Sequence, residues 1–248
     1  MSFSAFLPPT DSDVGIGFTD RWGGFSSPPY DSFNLGRRGE DDPSALEKNF
    51  AVLCRATGCE RIAICSQVHG AHVEIVDDHF EFMNGESGGH GVADAMVSTT
   101  PGIALVIRVA DCVPVVLADA STGVIGAAHA GRVGLLAGVL EATAEAMAGL
   151  GARGIEAWIG PHICARCYEV DRDMAESAWE QIPASRAWSR TGTAAIDLGA
   201  GAESILTGLG ITVTRLDPCV SCDSRFFSHR RDKGATGRQA GVVWLQNK

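Results

Sequence analysis

The segment that decides the fold of this chain is residues 109–134, VADCVPVVLADASTGVIGAAHAGRVG. It contains two apolar runs, residues 113–117 and 124–128. Residues 119–123, which are Asp, Ala, Ser, Thr and Gly, join them. Short apolar runs bounded by such residues are typical of buried strands. The segment therefore predicts a β-hairpin at the centre of the fold.

The outer ends of this hairpin carry reactive side chains. Cys112 lies directly before the first strand, and His129 lies directly after the second. Because the strands of a hairpin run antiparallel, their outer ends meet, and we expect a thiol beside an imidazole. The chain then continues through Gly131 and Arg132 into a helical pattern, and the N–H groups at a helix start favour an anion there.

The composition excludes several classes of partner. The chain has 248 residues, 45% hydrophobic and 20% charged, which is enough for a large core, and we interpret residues 1–248 as one domain. The formal net charge of −10 argues against a nucleic-acid backbone or an anionic membrane as the main partner. We see no signal peptide and no membrane-spanning stretch, so the eight cysteines are expected as reduced thiols in the cytoplasm.

Periodicity and turn residues predict many strands with a few interleaved helices. Asp42 and Pro43 are suited to begin a helix that Gly58 ends. Further helices are predicted over residues 133–150, from Asp171 or Asp173 to Trp179, and over residues 203–209. Further strands are predicted at residues 14–19, 61–66, 71–76, 95–98, 103–109, 155–159, 194–198, 211–216 and 239–245. The pattern indicates an α+β fold, a mixed α/β layered sandwich.

A second imidazole is a candidate partner of the hairpin pair. His69 lies in the sequence Gln67-Val68-His69-Gly70, between two predicted strands. Two imidazoles and a thiolate suit zinc at a catalytic site, where three protein ligands leave a fourth position open. The spacing matches no local metal motif, so three interpretations stay open: a metal site, a nucleophile–base dyad of Cys112 and His129, or a buried thiol with an unrelated turn histidine.

Two Cys-x-x-Cys pairs form a second group, Cys164 with Cys167 and Cys219 with Cys222. Together they could form a structural zinc site with four cysteine ligands. A long and largely apolar segment separates the pairs, which favours packing thiols instead.

Four arginines adjoin the loops that are richest in motifs: Arg21, Arg132, Arg230 and Arg231. In an acidic protein such guanidinium groups could bind phosphate in a bidentate way. For each arginine taken alone, an ordinary surface salt bridge is the simpler interpretation.

Longer motifs give the chain a family resemblance. They are, in order, TDRWGGFSSPPYDSFNLG (19–36), SQVHG (66–70), ADAMVS (93–98), ADCVPVVLAD (110–119), AAHAGR (127–132), IGPHICARCYEV (159–170), FFSHRRD (226–232) and TGRQAGVVWL (236–245). Over nearly its whole length the sequence resembles the laccase-domain proteins, also called the multicopper polyphenol oxidase or peptidoglycan-editing-factor family. Bacterial and vertebrate members of that family are described as zinc-dependent purine nucleoside phosphorylases with adenosine deaminase activity.

The resemblance implies a single α/β domain of the YfiH type, similar to a bacterial toxin that carries a Cys–His dyad. Carried over residue by residue, the catalytic residues and metal ligands fall on His69, Cys112 and His129, with zinc as the metal and copper as the alternative. The implied substrates are phosphate and a purine nucleoside such as adenosine, inosine or methylthioadenosine. Candidate substrate contacts are Arg21, Asn34, Gln67, Arg132 and Arg230.

The chain departs from the family pattern at several positions. The family's AHAGWRG is AHAGRVG here, so Arg132 takes the Trp position and Val133 the Arg position. Its FFSYRR is FFSHRR with His229, Val220 replaces a Thr, and Cys222 lies outside the pattern.

Three other functions compete with the nucleoside phosphorylase. A multicopper phenol oxidase needs many imidazoles, whereas the chain has seven histidines and no His-x-His pair. A metal-free Cys–His hydrolase or amidase acting on peptidoglycan precursors is the second alternative. A partner-binding domain without catalytic activity is the third.

Overall fold

The computed structural model describes residues 3–8, 13–36, 41–80 and 91–247. Its helices, numbered in chain order, are α1 (Pro43–Thr57), α2 (Arg132–Leu136), α3 (Val139–Gly149), α4 (Arg172–Gln181) and α5 (Leu198–Gly208). Its strands are β1 (Phe3–Leu7), β2 (Val14–Thr19), β3 (Arg61–Ala63), β4 (Val73–Ile75), β5 (Ala95–Ser98), β6 (Ile103–Val109), β7 (Val113–Asp119), β8 (Val124–Ala130), β9 (Glu156–Ile159), β10 (Arg186–Trp188), β11 (Ala194–Ile196), β12 (Thr212–Arg215) and β13 (Gln239–Leu245). The mixed α/β class predicted from the sequence is confirmed.

Two large sheets pack face to face. One has the strand order β1-β2-β13-β6-β3, and the other has the order β12-β9-β7-β8-β5-β4. Phe18 and Leu105 of the first sheet share an apolar cluster with Met96, Val116 and Ile125 of the second. This cluster forms the central core of the molecule.

Helices cover the outer faces of both sheets. Leu53 of α1 packs with Val106 and Trp244 on the five-stranded sheet. On the six-stranded sheet, Val115 packs with Leu140 of α3 and with other helical residues. The result is a layered sandwich in which β7 and β8 are buried on both faces.

The predicted hairpin is confirmed as β7 paired antiparallel with β8. Residues of β7 alternate between the two cores: Val115 and Leu117 face the helices, and Val116 and Ala118 face the other sheet. Burial on both faces explains why each strand reads as a continuous apolar run rather than as an alternating pattern.

Two predicted helices have different bounds in the structure. The helix predicted over residues 133–150 is divided into α2 and α3, because Gly138 adopts a left-handed conformation (φ 85°) that interrupts it. The helix predicted at residue 203 begins earlier, at Leu198, because the Asp197 side chain accepts the N–H of Ala200 and caps its N-terminus. Among the helices in the described ranges, none has the length and hydrophobicity needed to cross a lipid bilayer.

Candidate active site and metal centre

The structure brings His69, Cys112 and His129 together at the outer end of the hairpin. Their candidate ligand atoms lie within 4.8 Å of one another, and Cys112 Sγ is 3.8 Å from His69 Nε2. The register of β7 and β8 pairs Pro114 with His129, so the hairpin places the imidazole beside Cys112 as predicted. His69 arrives from the connection between β3 and β4, where its backbone is left-handed (φ 63°). That conformation is uncommon for a residue with a side chain and requires support from its surroundings.

A buried carboxylate supplies this support. Asp94 directly precedes β5, and its Oδ1 accepts hydrogen bonds from His129 Nδ1 at 2.8 Å and from the His69 N–H at 2.9 Å. Its Oδ2 accepts the N–H groups of Val68 at 3.1 Å and Gly70 at 2.7 Å. The carboxylate therefore fixes both the strained turn and the orientation of an imidazole. Because Nδ1 is bound to Asp94, Nε2 is the candidate ligand atom, and a metal ion would displace the proton that it carries when the imidazole is charged.

Glycines are required where β8 passes into α2. A Cβ at Gly131 would lie 2.8 Å from His69 Cδ2 and 2.9 Å from Cys112 Sγ, which is closer than these atoms can approach. A Cβ at Gly134 would lie 2.8 Å from the Gly70 carbonyl oxygen. The absence of side chains at both positions lets α2 pack directly against the three candidate ligands.

The electrostatics of the site favour a thiolate beside a charged imidazole. Burial raises the pKa of the Cys112 thiol, but hydrogen bonds from His129 and His69 outweigh burial and lower the pKa to about 6. Burial lowers the pKa of His129, whereas hydrogen bonds to Asp94 and Cys112 raise it to about 9. The cysteine is thus held in the deprotonated form that a metal ligand or a nucleophile needs.

This donor set fits a metal ion. One thiolate and two imidazoles provide three ligands, and a carboxylate on the far nitrogen is the usual support of a metal-binding histidine. Cysteine and histidine are ligands of zinc and also of copper. The three residues could therefore hold a metal ion, and the donor set does not select between the two metals.

A cavity of about 390 Å³ opens over these residues. Its lining is rich in groups that can carry positive charge: Arg108, Arg230, Arg238, His69, His129 and His229. Asp111 and Tyr168 also line it. Three arginines in one cavity wall, in a protein with a formal net charge of −10, favour an anionic ligand.

Two of the five predicted substrate contacts line this cavity, Gln67 and Arg230. The Gln67 amide donates to the Arg108 carbonyl at 2.8 Å and accepts the Arg108 N–H at 3.0 Å, which ties the turn that carries His69 to the end of β6. The Arg230 guanidinium donates to the Glu169 carbonyl at 2.8 Å.

Arg21 and Asn34 lie outside the residues that line the cavity. Arg21 forms a salt bridge with Asp31 at 3.0 Å and covers the ring of Phe227. Asn34 is buried, and its Oδ1 accepts the N–H of Arg238 at 2.8 Å, so it supports an arginine of the cavity wall. Direct contact of either residue with a substrate stays a prediction.

Arg132 also lies outside that lining. It begins α2. Burial raises the pKa of Tyr168, a residue that does line the cavity, and the positive charge of Arg132 partly offsets that rise. Val133, at the position where the family carries its arginine, is exposed. The role of Arg132 as a substrate contact stays a prediction as well.

Sequence reasoning did not single out two acidic residues that organise the site, Asp94 and Asp111. Asp111 has a left-handed backbone (φ 92°), and its carboxylate accepts hydrogen bonds from Ser228 Oγ and the Arg230 N–H, both at 2.6 Å. It therefore joins the C-terminal loop to the residue before Cys112. A carboxylate next to an apolar strand was the available signal, because a buried charge requires partners. The cavity residues Arg108, Tyr168, His229 and Arg238 were also not assigned a role.

Comparison with known proteins extends over almost the entire chain. The sequence profile of the family described as multi-copper polyphenol oxidoreductase laccase matches residues 15–246. A purine nucleoside phosphorylase of Streptomyces coelicolor is 44% identical over 243 residues, covering 95% of this chain and 97% of the relative. A purine nucleoside phosphorylase of Streptomyces griseus is 42% identical over 244 residues, covering 96% of each chain.

Solved structures show the same extent of similarity. A Neisseria meningitidis protein of the DUF152 family matches with a TM-score of 0.82 and 32% identity, covering 98% of this chain and 99% of the other. YlmD from Geobacillus stearothermophilus matches with a TM-score of 0.87 and 27% identity, covering 98% of this chain and 96% of the other. The fold described above is therefore shared from end to end.

Proposed function

The chain belongs to the multi-copper polyphenol oxidoreductase laccase family, and we propose that it acts as a purine nucleoside phosphorylase with a zinc ion at His69, Cys112 and His129. It cleaves adenosine, inosine or methylthioadenosine with phosphate, which yields the free base and a pentose 1-phosphate. Adenosine deamination is a side activity of the same site.

The observation that carries this proposal is the cationic cavity directly over the Cys/His site. Phosphate is an anion, and three arginines, Arg108, Arg230 and Arg238, line this one space. The names of the relatives supply the nucleoside as the second substrate. The partners are thus small molecules.

Phosphorolysis exchanges the glycosidic C–N bond for a bond between C1′ and a phosphate oxygen. Positive charge grows on the sugar as the C–N bond breaks, so the enzyme must hold the phosphate close to C1′. Arg230 is fixed before substrate arrives, because its N–H binds Asp111 and its guanidinium binds the Glu169 carbonyl. Such fixed donors stabilise charge in the transition state without reorganisation.

Zinc bound at this site would supply a Lewis acid and a water of lowered pKa, which is the chemistry that deamination requires. The protein's own residues keep Cys112 deprotonated and, through Asp94, hold His129 in the required orientation. We favour zinc over copper because multicopper electron transfer needs many imidazoles. The cavity lining described above contains three histidines.

The state of the cysteines supports a reducing compartment. None of the eight, all of which lie within the described residues, forms a disulfide, and disulfides are rare in the cytosol. We therefore place the protein in the cytoplasm.

The test is to incubate the protein, purified without chelator, with adenosine in the presence and absence of phosphate. We expect phosphate-dependent release of adenine with an equal amount of ribose 1-phosphate, and slower formation of inosine that does not need phosphate. Cys112→Ala should abolish both, whereas Cys54→Ala, on helix α1 and outside the residues that line the cavity, should leave both unchanged. Adenine release without phosphate, or full turnover by Cys112→Ala, would contradict the proposal.

A metal-free hydrolase is the second candidate, and the lowered pKa of Cys112 favours it. His69→Ala separates the two functions. A phosphorylase that uses the metal loses metal and turnover in this variant. A hydrolase that uses only Cys112 and His129 keeps its activity in this variant and after treatment with a chelator.

A further inference from the structure

A second cluster of metal-ligating side chains lies where the two Cys-x-x-Cys segments meet. The strands β9 and β12 are parallel neighbours, so the chain leaves both at the same edge of the sheet. Cys164 and Cys167 follow β9, and Cys219 and Cys222 follow β12. A bridge between His162 and Cys219 extends this pairing, and all four Sγ atoms lie within 4.8 Å of one another. The two pairs therefore meet in one cluster, although their separation along the chain favoured packing thiols.

Each Cys-x-x-Cys segment forms a tight turn. The Cys167 N–H donates to the Cys164 carbonyl at 2.9 Å, and the Cys222 N–H donates to the Cys219 carbonyl at 3.1 Å. The Sγ atoms of Cys167 and Cys222 are 3.4 Å apart. Zinc with bonds of about 2.3 Å to four tetrahedral sulfurs holds those sulfurs about 3.8 Å apart. Shifts of about 1 Å or less would thus convert the observed cluster into a complete coordination sphere.

The surroundings suit an anionic metal–thiolate cluster. Arg190 Nη2 donates to Cys222 Sγ at 2.7 Å, and the Cys164 N–H donates to Cys219 Sγ at 3.3 Å. Both groups stabilise negative charge on sulfur. Cysteines that serve only as packing groups are normally buried. Here three are half-buried and Cys222 is exposed.

We propose that Cys164, Cys167, Cys219 and Cys222 bind a structural zinc ion that is distinct from the metal of the cavity. Binding converts four thiols to thiolates and releases their protons to solvent. The ion links the loops after β9 and β12. The loop after β9 forms part of the cavity wall. Tyr168, which lines the cavity, follows Cys167 directly, and Arg230 donates to the carbonyl of Glu169.

The test counts metal ions in full-length protein purified without chelator. Cys112→Ala lacks a ligand of the cavity site and should retain one zinc per chain. Adding Cys222→Ser to Cys112→Ala should lower the zinc content at least about tenfold. Adding Cys54→Ser instead is the matched control, because Cys54 lies on α1 outside both clusters, and this variant should keep its zinc.

Loss of a structural zinc can unfold a protein, so two measurements on folded Cys112→Ala protein complete the test. Cobalt in place of zinc should give the strong thiolate-to-cobalt absorption of a four-sulfur site. Iodoacetamide should leave the four cluster cysteines unmodified until a chelator removes the metal. An absence of metal, a disulfide between Cys167 and Cys222, or iron in place of zinc would overturn the proposal. None of these measurements involves nucleoside turnover, so their failure is distinguishable from failure of the proposed function.

Discussion

Asp94→Asn removes one charge from the centre of the candidate metal site while keeping the shape of the side chain. The carboxylate accepts four hydrogen bonds, two on each oxygen: His129 Nδ1 and the His69 N–H on Oδ1, and the Val68 and Gly70 N–H groups on Oδ2. An asparagine offers one oxygen and one NH₂ group. Whichever way the amide is turned, two of the four N–H donors therefore face the NH₂ group, which is itself a donor.

Both orientations should impair metal binding. With the oxygen towards Val68 and Gly70, the NH₂ group faces His129 Nδ1 and favours the tautomer protonated on Nε2, the nitrogen that a metal would use. With the amide turned the other way, its oxygen faces His129 and the His69 N–H, and the turn that carries His69 loses the hydrogen bonds of the Val68 and Gly70 N–H groups. Two lost bonds to a buried charge cost roughly 3–6 kcal/mol of unfolding free energy, at about 1.5–3 kcal/mol each. Loss of a carboxylate that supports a ligand lowers metal affinity about 10- to 100-fold.

Asp119→Asn is the matched control for this experiment. Asp119 is also buried, lies at the opposite end of the same hairpin, and accepts the N–H groups of Arg153 at 2.7 Å and Gly154 at 2.9 Å. Both variants should unfold at lower urea concentration, but only Asp94→Asn should lose zinc affinity in competition with a chelating dye. Wild-type zinc affinity in Asp94→Asn, or equal losses of affinity in the two variants, would refute the orienting role of Asp94.

Gly131→Ala brings a Cβ within 2.9 Å of two candidate ligands, so metal content and turnover should fall at least about tenfold. Gly149→Ala, with no atom within 4 Å of its Cβ, should leave both unchanged and stabilise α3 by about 0.5–1 kcal/mol, as metal analysis and thermal unfolding would show. Burial alone would raise the pKa of Asp119. Hydrogen bonds, above all the one from the Arg153 N–H, outweigh burial and bring the pKa below its ordinary value. Its contribution to stability is then complete above its unfolded pKa of about 3.9 and is lost as the pH falls below that value. Urea unfolding at about pH 6 and about pH 3 should therefore show a smaller pH-dependent loss in Asp119→Asn than in wild type. Arg238→Gln should raise KM for phosphate about tenfold and KM for adenosine less, as initial rates would show, and equal changes in both would argue against phosphate contact.

The hairpin was predictable because its burial on two faces leaves a direct trace in the sequence. Its register then brings Cys112 and His129 together with no further information. His69 is different, since it joins the pair through the buried carboxylate of Asp94, and no local spacing records that contact. The division between α2 and α3 was missed because the apolar periodicity continues across Gly138, whose left-handed backbone ends α2.

The cysteine pairs show a second limit of sequence reasoning. Their separation along the chain favoured independent packing, but α4 and α5 lie in a crossover that returns β12 to the side of β9. Parallel neighbours end at the same edge of a sheet, so residues far apart in sequence meet there. Cys164 and Cys219 are neighbours for this topological reason, which only the strand order reveals.

Two residues beside the cavity have strained backbones, His69 (φ 63°) and Asp111 (φ 92°), and a carboxylate secures each of them. Asp94 binds three consecutive N–H groups around His69, and Asp111 uses its own side chain to bind Ser228 and Arg230. Hydrogen bonds to a charge fix direction as well as distance, whereas apolar packing is non-directional and would not select these conformations. The hairpin places Cys112 and His129, and the buried carboxylates then fix the backbone at His69 and at the residue before Cys112. Removing either carboxylate should release the turn that it holds before it disturbs the core.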